Sequence, residues 1–386
     1  MLCTRVALFA TIVLCALAAR LFAQAPAEES PIDKPSVEAE LRQFIEKYDT
    51  NGDGSLSAQE RAALMKDMRS GKVELPEFLR ARLAQEKAKK AKAKKGGQAA
   101  APRLPAGVAI ERDVVYGKAG DRELRLDILK PEKPSADKLP LVVFIHGGGW
   151  RNGSKDSGIG NVGPLAATGN YVGATVEYRL SGEAIWPAQI HDCKAAIRFL
   201  RANAAKWGGD PERIAVWGGS AGGHLVSLLG TSGDVAGLEG ENGAPGVSSR
   251  VQAVVDFCGP SDLAILGGIM PNDASNGIAL LLGGPVGQKM DEAKEASPAT
   301  HISTDDPPFL IVHGTNDGTV PIRQAETFHT ALEKAGVTAY YLKAEGAGHN
   351  LNYPTIRERV TKFLDKHLRG EDVTVADEVI QVEARP

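Results

Sequence analysis

The chain has 386 residues, 43% hydrophobic and 24% charged, enough to bury one large core and leave a small module over. Its formal net charge of -3 and the lack of aromatics interleaved with its basic residues exclude nucleic acid as an expected partner. No Cys-x-x-Cys pair and no His-Glu-x-x-His occurs, so no zinc centre is implied.

Residues 1–23 read as a signal peptide: Arg5, an almost wholly apolar stretch from Val6 to Ala19, then the small residues Ala23 and Ala25 suited to cleavage. The apolar run is shorter than the ~20 residues that a membrane span takes. Export and cleavage are therefore expected, with a secreted or periplasmic destination and no stable membrane insertion. Cys3 and Cys15 lie within that segment. The remaining pair, Cys193 and Cys258, reads as two separate buried thiols, although an oxidising compartment permits a bridge.

Residues 36–82 form a predicted helical module built around the loop Asp49-Thr-Asn-Gly-Asp-Gly-Ser-Leu-Ser-Ala-Gln-Glu60. Asp49, Asn51 and Asp53 offer side-chain oxygens at loop positions 1, 3 and 5, Ser55 its carbonyl at 7, Ser57 a hydroxyl or water link at 9, and Glu60 a bidentate carboxylate at 12. Gly54 stands where the loop must turn sharply, and Leu41, Phe44, Ile45 and Tyr48 recur at helical spacing before it. The segment resembles an EF-hand at every ligand position, which implies bound Ca2+ in a structural or docking role. A second, degenerate loop follows, with Gly71, Val73 and Glu77 in register but Lys66 and Met68 at ligand positions, so it is expected to pack rather than to bind. Residues 83–108, rich in Lys, Ala, Pro and Gly, read as a basic linker.

From residue 109 to 370, short apolar runs alternate with helical stretches, which predicts an α/β fold with a mostly parallel sheet covered on both faces. Strands are expected at 124–129, 141–145, 171–176, 214–217, 251–257, 309–313 and 338–342, and helices at 187–206, 221–229, 323–335 and 355–367. Residues 371–386 show no helical or strand period and are expected to be a tail.

Four motifs carry chemistry, each at the carboxyl end of a predicted strand, where such sheets bind ligands. Gly218-Gly219-Ser220-Ala221-Gly222 follows the run Arg213–Trp217 and reads as a nucleophilic serine on a tight strand-to-helix turn. His146-Gly147-Gly148-Gly149-Trp150 closes the run 141–145, and the amides of Gly148, Gly149 and Ala221 are the expected oxyanion donors. Asp317 ends the strand-to-loop segment Phe309–Asp317, and His349 stands in the glycine-rich Glu345-Gly-Ala-Gly-His. Asp317 is preferred as the acid over Asp262, which reads as a helix N-cap, and over Glu345. His146 and His224 are expected to be scaffold, and His313 to pack beneath the site.

With Glu177-Tyr-Arg-Leu180, Pro187–Asp192 and Gly209-Asp-Pro-Glu-Arg-Ile214, these motifs resemble the esterase/lipase branch of the α/β-hydrolases. Within it they are similar to the carbohydrate-esterase and feruloyl-esterase-like group near hormone-sensitive lipase. Glu177 departs from the Asn that many relatives carry there. The resemblance implies an α/β-hydrolase fold and a serine carboxylesterase with a Ser-His-Asp triad, acting on short acyl esters, acetyl or feruloyl esters of polysaccharide among them, without a catalytic cofactor. Two alternatives are a serine exopeptidase of the same fold and a calcium-dependent scaffold protein whose hydrolase fold is inert.

Overall fold

The computed structural model describes Lys47, Tyr48 and residues 104–382 except 234 and 270–275. The expected signal peptide, the EF-hand ligands Asp49, Asn51, Asp53, Ser55, Ser57 and Glu60, the degenerate loop and most of the linker lie outside the described residues. The chain divides into two units, Met1–Ala100 and Ala101–Pro386, and the fold below belongs to the second.

Its strands are β1 (Val108–Ala119), β2 (Arg122–Pro131), β3 (Leu139–Ile145), β4 (Val172–Val176), β5 (Gly209–Gly219), β6 (Ala253–Phe257), β7 (Phe309–Gly314), β8 (Ala339–Glu345) and β9 (Glu378–Gln381). They form a nine-stranded sheet ordered β1-β2-β4-β3-β5-β6-β7-β8-β9. The hairpin β1–β2 is antiparallel and β2 runs antiparallel to β4, whereas β3 to β9 are mutually parallel. Every residue of β3 and of β4 is buried, which is why these strands read as continuous apolar runs rather than alternating ones.

The helices are α1 (Ile159–Ala167), α2 (Ala188–Asn203), α3 (Ala221–Thr231), α4 (Leu263–Ile269), α5 (Gly277–Leu282), α6 (Met290–Glu295), α7 (Arg323–Lys334) and α8 (Pro354–Leu364). One face of the sheet packs on Ile190, Ile197, Leu225, Leu229, Phe328 and Leu332 of α2, α3 and α7. The other packs on Ile159 and Val162 of α1 and on Ile356, Val360 and Phe363 of α8. Two covered faces and a parallel centre are the predicted α/β class.

The edges depart from expectation. β1 is not marked by the apolar pattern, because its residues alternate around half-exposed positions and it is held by pairing with β2. The expected tail also carries a strand: β9 pairs in parallel with β8, Ile380 is buried, and Asp377 Oδ1 accepts the Tyr341 amide at 2.9 Å. Four residues whose backbone does the pairing leave too short a pattern to register as a period.

Polar ties fix the loops that leave the carboxyl edge of the parallel strands. The loop after β3 is anchored by Lys155, nearly buried, whose Nζ meets Asp127 at 2.9 Å and Asp113 at 3.0 Å, while Arg112 reaches Asp127 at 3.0 Å. Trp150 Nε1 donates to His224 Nδ1 at 3.2 Å, and His224 Nε2 donates to the Ala296 carbonyl at 2.6 Å, so α3 holds both that loop and the segment after α6.

Burial drives the His224 pKa down from 6.5 to about 4, only partly opposed by its bond to Ala296. The folded value lies below the ordinary one, so the unfolded chain takes up the proton first. The stability contributed by the neutral imidazole is complete above about pH 6.5 and is lost as pH falls toward 4, a change of about 3 kcal/mol. Urea midpoints measured from pH 7 to 4.5 should therefore fall more steeply for the wild type than for His224→Gln. Parallel slopes would contradict this role.

Candidate active site

β5 runs directly into Ser220, whose φ of 57° and ψ of -124° lie in a region that side-chain-bearing residues rarely adopt. Such a conformation costs about 1–3 kcal/mol and persists only where its surroundings enforce it. Here the Ser220 amide donates to the Phe257 carbonyl at 2.8 Å, and the Ser220 carbonyl accepts the His224 amide at 3.0 Å, opening α3. The flanking glycines are steric necessities. A Cβ on Gly218 would lie 2.3 Å from the Gly222 carbonyl oxygen, and one on Gly222 would lie 2.1 Å from that of Ile145.

The glycine loop after β3 rests on this turn: a Cβ on Gly147 would sit 2.5 Å from the Gly219 carbonyl oxygen and 3.4 Å from Ser220 Cβ. Gly148 and Gly149 follow with φ of 117° and 60°, and the Gly148 carbonyl accepts the amides of Arg151 and Asn152 at 3.3 and 3.1 Å. The loop is thus a fixed turn beside the serine. Ala221 is the first residue of α3, where amides lack an intrahelical acceptor and the helix favours negative charge. His146 supports the loop from below, stacked on Tyr178 with ring centroids 4.3 Å apart, and the Tyr178 hydroxyl donates to its carbonyl at 3.0 Å.

β7 and β8 deliver the other two groups. Asp317 Oδ2 accepts His349 Nδ1 at 2.7 Å, and the Asp317 side chain is fully buried. Its Oδ1 accepts the amides of Thr319 and Val320 at 2.8 and 3.0 Å, and His313 Nε2 stands 3.3 Å from Oδ2 and 2.9 Å from the Val320 carbonyl. Burial alone would raise the pKa of this carboxyl. The hydrogen bonds from His313, His349 and the two amides outweigh it and hold the group well below the usual carboxylate range. Asp262 instead caps α4, accepting the Ile265 amide at 2.8 Å, and Glu345 is exposed.

Ser220 and His349 line one cavity of about 300 Å3, with Trp217, Phe257, Cys258 and Leu351 as apolar walls and Asn161, Asn350, Asn352 and Arg357 as polar ones. Cys193 and Cys258 are both free and buried. The Cys258 thiol donates to the His349 carbonyl at 3.7 Å, and burial pushes its pKa up. Glu177, singled out in the sequence, does not line this cavity; it pairs with Arg122 at 2.8 Å. His313 packs beneath the site against Asp317, as expected from the sequence, whereas Arg357, a helix residue with no local motif, was not legible as a neighbour of the site.

Residues 126–332, more than half of the chain, match the profile of the BD-FAE family. The chain is 35% identical over 236 residues to the probable carboxylic ester hydrolase LipM of Mycobacterium tuberculosis, covering 58% of this chain and 52% of that protein. It spans 60% of the esterase LipC of the same organism at 33% identity, so it covers only about half to three fifths of these curated relatives. Among solved structures, it is similar to a truncated carbohydrate esterase from gut microbiota, with 31% identity, a TM-score of 0.64, and coverage of 70% of this chain and 100% of that one. Est2 of Thermogutta terrifontis with propionate bound gives 31% identity, a TM-score of 0.57, and 69% and 96% coverage. The sheet order, the turn at Ser220 and these likenesses together make the chain a member of the BD-FAE family, built on an α/β-hydrolase fold.

Proposed function

We propose that the protein is a serine carboxylic-ester hydrolase in which Ser220 is the nucleophile, His349 the general base and Asp317 the acid that orients it. The reading is carried by one observation: a fully buried carboxylate bonded at 2.7 Å to the imidazole that shares a cavity with Ser220. His349 accepts the Ser220 proton as the oxygen attacks the ester carbonyl. The amides of Gly148, Gly149 and Ala221 stabilise the oxyanion, for which removal of one donor typically costs about 3 kcal/mol. Collapse of the tetrahedral intermediate breaks the bond to the alcohol, which leaves with the proton from His349. Water then repeats the sequence, releasing the acid and restoring the Ser220 hydroxyl.

The strained backbone at Ser220 favours this reading over an inert scaffold, since such strain is kept where function demands it. Short acyl esters suit the cavity volume, and the likeness to a carbohydrate esterase supports esters of polysaccharide as substrates. Export to the cell exterior or periplasm, and Ca2+ held by the oxygens of Asp49, Asn51, Asp53, Ser55, Ser57 and Glu60, belong to the same proposal and rest on the sequence alone. Calcium would stabilise or dock the amino-terminal module, with no step of hydrolysis passing through it.

On 4-nitrophenyl acetate, Ser220→Ala should lower kcat about a thousandfold or more while leaving the melting temperature near that of the wild type. Full turnover by that variant would reject the assignment. His313→Leu removes a donor to Asp317 and loosens the carboxylate that orients His349, so kcat should fall about tenfold with KM little changed. His313→Gln, which keeps a donor, should recover part of the loss in kcat; equal losses in the two variants would show that His313 only fills space.

A further inference from the structure

Arg357 projects from the first turns of α8 into the cavity that holds Ser220 and His349. Its guanidinium is pinned at two points: Nε donates to Asn352 Oδ1 at 2.8 Å and Nη1 to the Gly160 carbonyl at 2.8 Å. Among the described residues, Nη2 has no hydrogen-bond partner and no carboxylate pairs with this arginine. Arg112, Arg179, Arg198 and Arg359 differ in this respect, each meeting an Asp or Glu at 2.7–3.0 Å. Among the described residues, no Asp or Glu lines the cavity either.

An arginine fixed in orientation, with donors left over and no counter-charge, is suited to a planar anion. Carboxylate and phosphate both take its parallel donors two at a time, and of these carboxylate is the planar one. We infer that this cavity binds a carboxylate carried by the ester substrate, with Arg357 as the specificity-determining residue and Asn161 and Asn350 as its polar flank. Trp217, Phe257 and Leu351 supply an apolar wall for the carbons between that carboxylate and the scissile bond. The inference rests on the hydrolase reading above and narrows its substrate class to acid-bearing esters. The carboxylate can belong to the acyl part, as in a dicarboxylic half-ester, or to the alcohol part, as in an acylated uronic acid.

Two pairs of substrates separate these sources: mono-4-nitrophenyl glutarate against 4-nitrophenyl butyrate, and acetylated galacturonic acid against acetylated galactose. For the wild type, kcat/KM should favour the acid-bearing member of one pair tenfold or more, and 1 M NaCl should reduce that preference. Arg357→Gln should collapse the ratio toward one, and Arg357→Lys, which keeps the charge but not the fork, should give an intermediate ratio. Ratios within twofold of one in both pairs for the wild type, or an undiminished ratio in Arg357→Gln, would overturn the inference while hydrolysis of the neutral esters left the hydrolase reading standing. Inertness of the wild type toward all four esters would overturn that reading, and the inference with it.

Discussion

The turn at Ser220 is the constraint on which the site depends. A residue at φ 57° is held by a hydrogen bond to the end of β6 on one side and by the start of α3 on the other. Contact is so close that a single methyl group on Gly222 would meet the end of β3. The parallel sheet supplies this crowding, because β3, β5 and β6 are adjacent and end at the same edge. Loosening any of the three would relax the serine and separate it from the glycine loop that rests on the same turn.

Charge is distributed around this turn by burial. His224, wholly buried, is kept neutral, so it accepts from Trp150 and donates to Ala296 with a fixed tautomer. Asp317, equally buried as a side chain, is kept ionised by donors from three directions. In a region of low dielectric both outcomes require full hydrogen bonding, since an unpaired group would cost more than its bond contributes. The serine hydroxyl, the ionised acid and the uncharged scaffold histidine therefore lie within one preorganised frame, in keeping with electrostatic preorganisation as the main source of rate.

Much of this was legible in the sequence, for identifiable reasons. The central strands are apolar throughout, so their runs stand out, and the glycines around Ser220 and after His146 mark places where any side chain collides. The chain order of Ser220, Asp317 and His349 agrees with the order of β5, β7 and β8 across the sheet. What eluded the sequence depends on long-range contact. β1 and β9 exist through backbone pairing with a neighbour, and Arg357 enters the cavity because α8 packs beside α1. None of these leaves a periodic or motif-like trace. The amino-terminal ligand loop shows the opposite case, a strong local pattern whose meaning for the catalytic unit depends on the rest of the molecule.

The central claim is that Ser220, and no other hydroxyl, is the covalent nucleophile. Peptide mass spectrometry after stoichiometric reaction with an organophosphorus ester tests it most directly. A single phosphoryl adduct on the peptide containing Ser220, formed in step with loss of esterase activity, is the predicted result. An adduct on another residue, or loss of activity with Ser220 unmodified, would contradict it.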